Sequence, residues 1–240
     1  MRSRRILFFG FAVLFSCSFF GQRERIAYLP TFDDRPLHFG FYLGLNQNDF
    51  KLNLKDTPTN PDIIDITVAP ETGFNVGLIV DLRLHKNLNF RLEPGLVSNS
   101  KKIRFNHLTT VADNPQDSIR EVVSTYLHIP LLFKFSTDRY KNIRPYVLAG
   151  VSYDYNFSSK EKGDDNFANQ FRTKTHNFMY EVGLGIDFYL YYFKFSPSIR
   201  GVFAINNEIK YDDPANGPSK WTDPINFLGT RGIFLNFAFE

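Results

Sequence analysis

The chain has 240 residues, enough for one domain with a sizeable interior, and carries 27 Phe and 12 Tyr against only two Met. A net charge of +3 with both signs interspersed excludes the concentrated basic face of a nucleic-acid binder. The one cysteine, Cys17, lies in the first apolar run, which excludes a disulfide framework, a Cys-based zinc site and a thiol nucleophile from everything that follows.

Residues 1–21 open with Arg2, Arg4 and Arg5, continue through an apolar run from Ile6 to Phe15, and end on the small residues Ser16, Ser18 and Gly21. That is the layout of a secretory signal peptide read by the Sec pathway, with cleavage after Ser18 or after Gly21 both fitting. Phe15 is bulky where a lipoprotein signal has a small or β-branched residue, which argues against lipidation of Cys17. Residues 22–37 are then expected to be a periplasmic segment leading into a single domain over 38–240.

Beyond residue 21 no run approaches the ~18 consecutive apolar residues of a membrane helix. Strict alternation recurs instead, and period two means strands. In the first, Phe39, Phe41, Leu43 and Leu45 alternate with His38, Gly40, Tyr42, Gly44 and Asn46. Next, Phe74, Val76, Leu78, Val80, Leu82 and Leu84 alternate with Asn75, Gly77, Asp81, Arg83 and His85, and Leu88, Phe90 and Leu92 with Asn89, Arg91 and Glu93. Leu127, Ile129, Leu131, Phe133 and Phe135 oppose Ser124, Tyr126, His128 and Lys134; Val147, Ala149, Val151, Tyr153 and Tyr155 oppose Arg144, Gly150, Ser152 and Asp154.

The run FMYEVGLGIDFYLYYFKFSPSIRGVF at 178–203 is long and apolar enough to resemble a membrane helix. A helix would scatter its charges around the whole circumference. As strands, Phe178 to Phe188 and Phe193 to Phe203 keep Glu181, Asp187, Lys194 and Arg200 on one face, with a tight turn at Leu190–Tyr192. Ile233, Leu235, Phe237 and Phe239 close the series, giving eight strands. Short links are expected near 85–88, 136–143 and 189–192, and long polar ones over 51–70, 100–120, 158–175 and 206–229. That pattern predicts an eight-stranded antiparallel transmembrane β-barrel of the outer-membrane type.

Three features turn the apolar line outward to lipid rather than inward, as a soluble barrel would have it. The polar line is rich in Gly, Ser and Asn with balanced charges, which suits a narrow filled interior. Aromatics gather at strand ends, as in interface girdles: Tyr140, Tyr189, Tyr191 and Tyr192 at one end, Phe50, Tyr155, Phe157 and Phe178 at the other. The ending GIFLNFAFE resembles the signal read by barrel-assembly machinery.

The inward charges are expected to form a structural network: Asp81, Glu93, Asp154, Glu181 and Asp187 against Arg83, Arg91, Arg144, Lys194 and Arg200. Buried charges persist only when paired, and Glu181 with Arg200, or Asp187 with Lys194, are the neighbouring-strand pairs on offer. His38, His85, His107, His128 and His176 show no ligand spacing, and no Ser/His/acid grouping is visible. No catalytic, cofactor or metal residue is therefore assigned. Trp221 in the last long loop is a candidate partner contact or a headgroup-level aromatic.

The stretch LPTFDDRPLHFGFYLGLNQNDF at 29–50 is distinctive: Leu29, Pro30, Phe32 and Asp33, then Pro36, His38, Phe39, Gly40 and Phe41, then Gly44, Asn46 and Gln47. It resembles the opening of the PorT (SprT) family of Bacteroidetes outer-membrane proteins, as do PETGFNVGLIVDLRLHKNLNFRLEPGL and YLHIPLLFKFSTDRYKNIRPYVLAGVSY further on. The resemblance implies a non-enzymatic component of the type IX secretion system and, in gliding species, of motility. It also implies Phe32 and Asp33 as candidate periplasmic contacts with other components of that system. Two other readings stay open: a lipid A-modifying barrel enzyme, and a plain structural or adhesive barrel.

Overall fold

In a computed structural model the described residues are 27–54, 63–107, 119–159, 161, 172–211 and 225–240. The expected signal peptide and Trp221 lie outside them. Among the described residues there are ten antiparallel strand segments: β1 (Leu37–Leu54), β2 (Ile63–Pro70), β3 (Thr72–His85), β4 (Leu88–Leu92), β5 (Gly95–His107), β6 (Ile119–Ser136), β7 (Ile143–Asn156), β8 (His176–Tyr189), β9 (Lys194–Ala204) and β10 (Ile225–Phe239).

The ten segments make eight staves. β4 and β5 are one strand, because Val80 faces Leu92 and Gly77 faces Gly95 on a single unshifted register. The ladder lapses only at Glu93–Pro94, where proline has no N–H to give. β2 and β3 are likewise continuous in the chain, separated by Glu71, where the register against β5 slips by one: Pro70 faces Lys101 but Phe74 faces Ser98. Such a bulge turns alternate side chains to the other face. Pairing of β1 with β3 stops there too, at Gln47 and Thr72.

The ring is closed. From Leu37 the paired residues run through Leu82, Phe90, Phe133, Ala149, Val182, Gly201 and Ile233 and return to β1 at Gln47, ten residues on. With strands about 4.8 Å apart and about 3.3 Å per residue, that stagger tilts eight staves by about 40° and leaves a backbone radius of about 8 Å. At that tilt ten residues rise about 25 Å, the height of a lipid-facing band.

The wall is inside out relative to a soluble protein. Phe39, Leu78 and Leu184 are 60–67% exposed, whereas Asp81, Arg91, Glu93, Glu181 and Asp187 are no more than 1% exposed. A belt of exposed Phe, Leu, Val and Ile on every stave would cost about 25 cal/mol per Å² in water, so lipid is its natural solvent.

The short links are as expected, but two long ones are shorter. β1 continues to Leu54 and β5 to His107, and β2 occupies 63–70, all read from sequence as loop. Two aromatics also depart from the expected girdles. Tyr189 and Phe50 point inward, 1% and 3% exposed, while Tyr140, Tyr191 and Tyr192 stand at the short-turn rim.

Candidate functional site

The interior is best built from its glycines upward. A Cβ on Gly77 would lie 2.6 Å from the Tyr42 ring and 2.5 Å from the Pro94 carbonyl oxygen. Gly77 and Gly95 are paired neighbours on the two adjoining staves, and only their bare backbone leaves Tyr42 room to lie along the wall over both, where its hydroxyl donates to the Glu93 carbonyl at 3.3 Å.

Most of the expected inward charges meet in one string. Lys194 Nζ lies 2.8 Å from Glu240 Oε2, and Arg91 Nη2 lies 2.6 Å from Glu240 Oε1. Arg91 also takes Asp81 Oδ2 at 2.6 Å and Glu93 Oε1 at 3.3 Å. Glu93 pairs in turn with Arg200, which reaches Glu181 Oε2 at 3.5 Å. His128 ends the string, with Nε2 3.0 Å from Glu181 and Nδ1 2.5 Å from Asp154.

Of the two pairs expected from sequence, Glu181 with Arg200 is formed. Asp187 instead takes Lys134 at 2.7 Å and Ser196 at 2.6 Å, and Lys194 turns to Glu240. Glu240, Lys134 and His128 were missing from the expected network. Alternation places all three on the polar line, so parity carried to the last residue would have found them.

Arg83 and Arg144 belong to the short-turn mouth rather than to the string. Residues 28–35 fold across that mouth, with Phe32–Asp34 as one 3-10 turn. Tyr189 donates to both Asp33 carboxylate oxygens at 2.7 and 2.9 Å, and Arg144 Nη1 lies 3.5 Å from Oδ1. The Phe32 ring stacks on His38 at 4.4 Å, and Lys194 Nζ sits 4.8 Å over it. Phe32 and Asp33, the candidate contacts, are thus placed in intramolecular pockets.

The far end is capped as well. Thr173 bridges Ile209, and Phe50, Ile103, Ile209, Ile225 and Leu228 form an apolar cluster beneath. Glu208 accepts from the Thr230 N–H and hydroxyl, both at 2.8 Å, and Lys101 donates to that hydroxyl at 3.2 Å. Burial pushes the Glu208 carboxyl above its usual range, against the pull of Lys101.

A closed ring of eight tilted staves, apolar outside and ion-paired within, defines an integral outer-membrane β-barrel. The family model described as "Outer membrane protein beta-barrel domain" matches residues 20–210, and the chain belongs to that family. No curated protein matches it. Among solved structures it is similar to Neisserial surface protein A at 9% identity and a TM-score of 0.45, covering 85% of this chain and 98% of that one. OprG of Pseudomonas aeruginosa is 13% identical at a TM-score of 0.47, covering 84% and 94%. The outer membrane protease OmpT of Escherichia coli is 11% identical at 0.36, covering 90% and 98%.

Proposed function

We propose that this barrel is a non-catalytic component of type IX protein secretion and, in gliding species, of motility. In this reading it enters the periplasm by the Sec pathway, is inserted by barrel-assembly machinery, and works beside the export pore rather than as the pore. The observation that carries the second half is the filled lumen. An unbroken ion-pair string from Lys194 to Asp154 crosses an interior about 8 Å in radius, leaving no path for a folded cargo. The pathway itself is supported by the resemblance of 29–50 and the two later segments to the PorT family. Trp221, Phe32 and Asp33 are the proposed contacts with other components.

The test is a deletion strain, with cargo export and lipid A mass followed together. Cargo retained in the periplasm with unchanged lipid A supports the reading. Altered lipid A with normal export favours a lipid A-modifying enzyme, and normal export with unchanged lipid A favours a plain structural barrel.

A further inference from the structure

The short-turn mouth is built more elaborately than closure requires. Directly above it Lys194, Glu240 and Arg91 already fill the lumen with paired charge. Yet residues 28–35 are held by contacts of two distinct kinds.

The first kind grips main chain. Arg139 donates to the Tyr28 carbonyl and, at 3.1 Å, to that of Leu29, while the Tyr28 N–H donates to Asn142 Oδ1 at 2.9 Å. Arg83 donates to the Asp33 carbonyl, and His38 Nε2 lies 2.7 Å from that of Phe32. Any peptide offers such groups. The second kind reads two side chains. Phe32 lies between His38, Tyr189 and the Lys194 ammonium, with ring distances of 4.4 and 6.3 Å to the first two. Asp33 faces the Tyr189 hydroxyl and Arg144, and Arg144 is itself fixed by the Thr137 and Lys86 carbonyls at 2.8 and 2.6 Å.

Four cations (Arg83, Arg139, Arg144 and Lys194) thus surround a segment that presents one engaged carboxylate. Charge-assisted bonds of this sort, with an aromatic held under a cation, are how peptide sites gain both affinity and selectivity. The neighbours of the anchors, Pro30, Thr31, Asp34 and Arg35, are exposed. Leu29 holds a left-handed φ of 49°, a conformation that a non-glycine residue adopts at a cost. Release of 28–35 would relieve it, and the Arg83 N–H still holds the Pro36 carbonyl at 2.8 Å, so β1 keeps its place.

We propose that this mouth is a binding site for a peptide presenting an aromatic residue followed by a carboxylate, occupied here by the chain's own Phe32–Asp33 and exchangeable with such a segment on a periplasmic partner. The proposal rests on the contacts of the mouth and not on the secretion reading. The resident segment is tethered, and a short tether gives an effective concentration on the order of millimolar. A free peptide therefore binds the intact chain poorly, and a partner must bring its segment in already docked.

The test uses the full chain carrying F32A and D33A, which vacates both pockets. A labelled peptide YLPTFDDRP, the sequence of residues 28–36, is titrated by fluorescence anisotropy in detergent, beside versions with Ala-Ala or Phe-Asn in place of Phe-Asp. Expected is binding to the vacated chain at least tenfold tighter than to the intact one, and a tenfold or greater loss with either altered peptide. Adding R144Q and Y189F should cost a similar factor. Absence of binding to a vacated chain whose circular dichroism shows an intact barrel overturns the proposal, as does equal binding of the three peptides. The peptide arms need no further protein variant, so they decide the matter even if the R144Q/Y189F chain does not fold.

Discussion

Arg91 is the most connected charge in the lumen, and Arg91→Met tests how far the barrel depends on it. The guanidinium is 1% exposed and holds three carboxylates, those of Asp81, Glu93 and Glu240. Methionine keeps the length and removes the charge, leaving three buried acids to share Lys194 and Arg200. Losing one partner of a buried pair costs about 3–5 kcal/mol, because the remaining charge stays uncompensated. With an unfolding slope of about 2 kcal/mol per molar urea, the midpoint should fall by about 1.5–2.5 M. The assay is urea unfolding in lipid vesicles followed by circular dichroism. Because the acids act through the same guanidinium, adding Asp81→Asn to the variant should cost less than Asp81→Asn costs alone. A folded R91M barrel that loses under about 1 kcal/mol, or strict additivity of the two changes, would refute the idea that the string is a coupled network.

Other positions give independent checks. Gly77→Ala drives a Cβ against the Tyr42 ring and the Pro94 carbonyl, and overpacking of this kind should cost about 1–3 kcal/mol in the same urea assay; an unchanged midpoint would mean that Tyr42 is not confined. Glu208 has a folded pKa above the usual 4.5, so its contribution is fully present below pH 4.5 and lost as pH rises through the folded value. The stability of wild type relative to Glu208→Gln should therefore fall with rising pH, and a flat or rising difference between pH 4 and 8 would contradict that sign. In a Cys17→Ser background, Leu184→Cys should react with a lipid-soluble maleimide in vesicles, whereas Ser198→Cys, inward on the next strand, should not. Equal reaction would contradict the outward placement of the apolar line.

The barrel was legible because lipid imposes an apolar line on every spanning stretch, and Phe39 to Leu45 or Phe178 to Phe188 must then alternate. Where the strands rise past the membrane that demand lapses. Lys51 to Leu54, Lys101 to His107 and Ile63 to Pro70 accordingly read as loop. The bulge at Glu71 hid β2 further, since it reverses which side chains face in. Tyr189 and Phe50 depart from the girdles because parity, not aromatic composition at a strand end, decides which way a strand residue points, and parity places both inward.

Partners inside the lumen were harder to read. Asp187 has Lys194 seven positions on, just past the hairpin turn, yet it takes Lys134 from two strands away. Sequence adjacency fixes which strands make a hairpin but not which partner a long inward side chain takes. The mouth was legible only in pieces: alternation puts Arg83, Arg144 and Lys194 inward and the resemblance singles out Phe32 and Asp33, but Arg139 sits in a link whose only visible property is brevity, and nothing in the sequence brings these residues together.

The central claim is that an outward apolar belt encloses a lumen filled by its own charges, so that the protein is not a conduit. Current through the purified full-length chain in a planar bilayer tests this most directly. The account predicts no steady open-state conductance in molar salt at moderate voltage. A persistent ohmic conductance, of the size a water-filled channel would give, would contradict it.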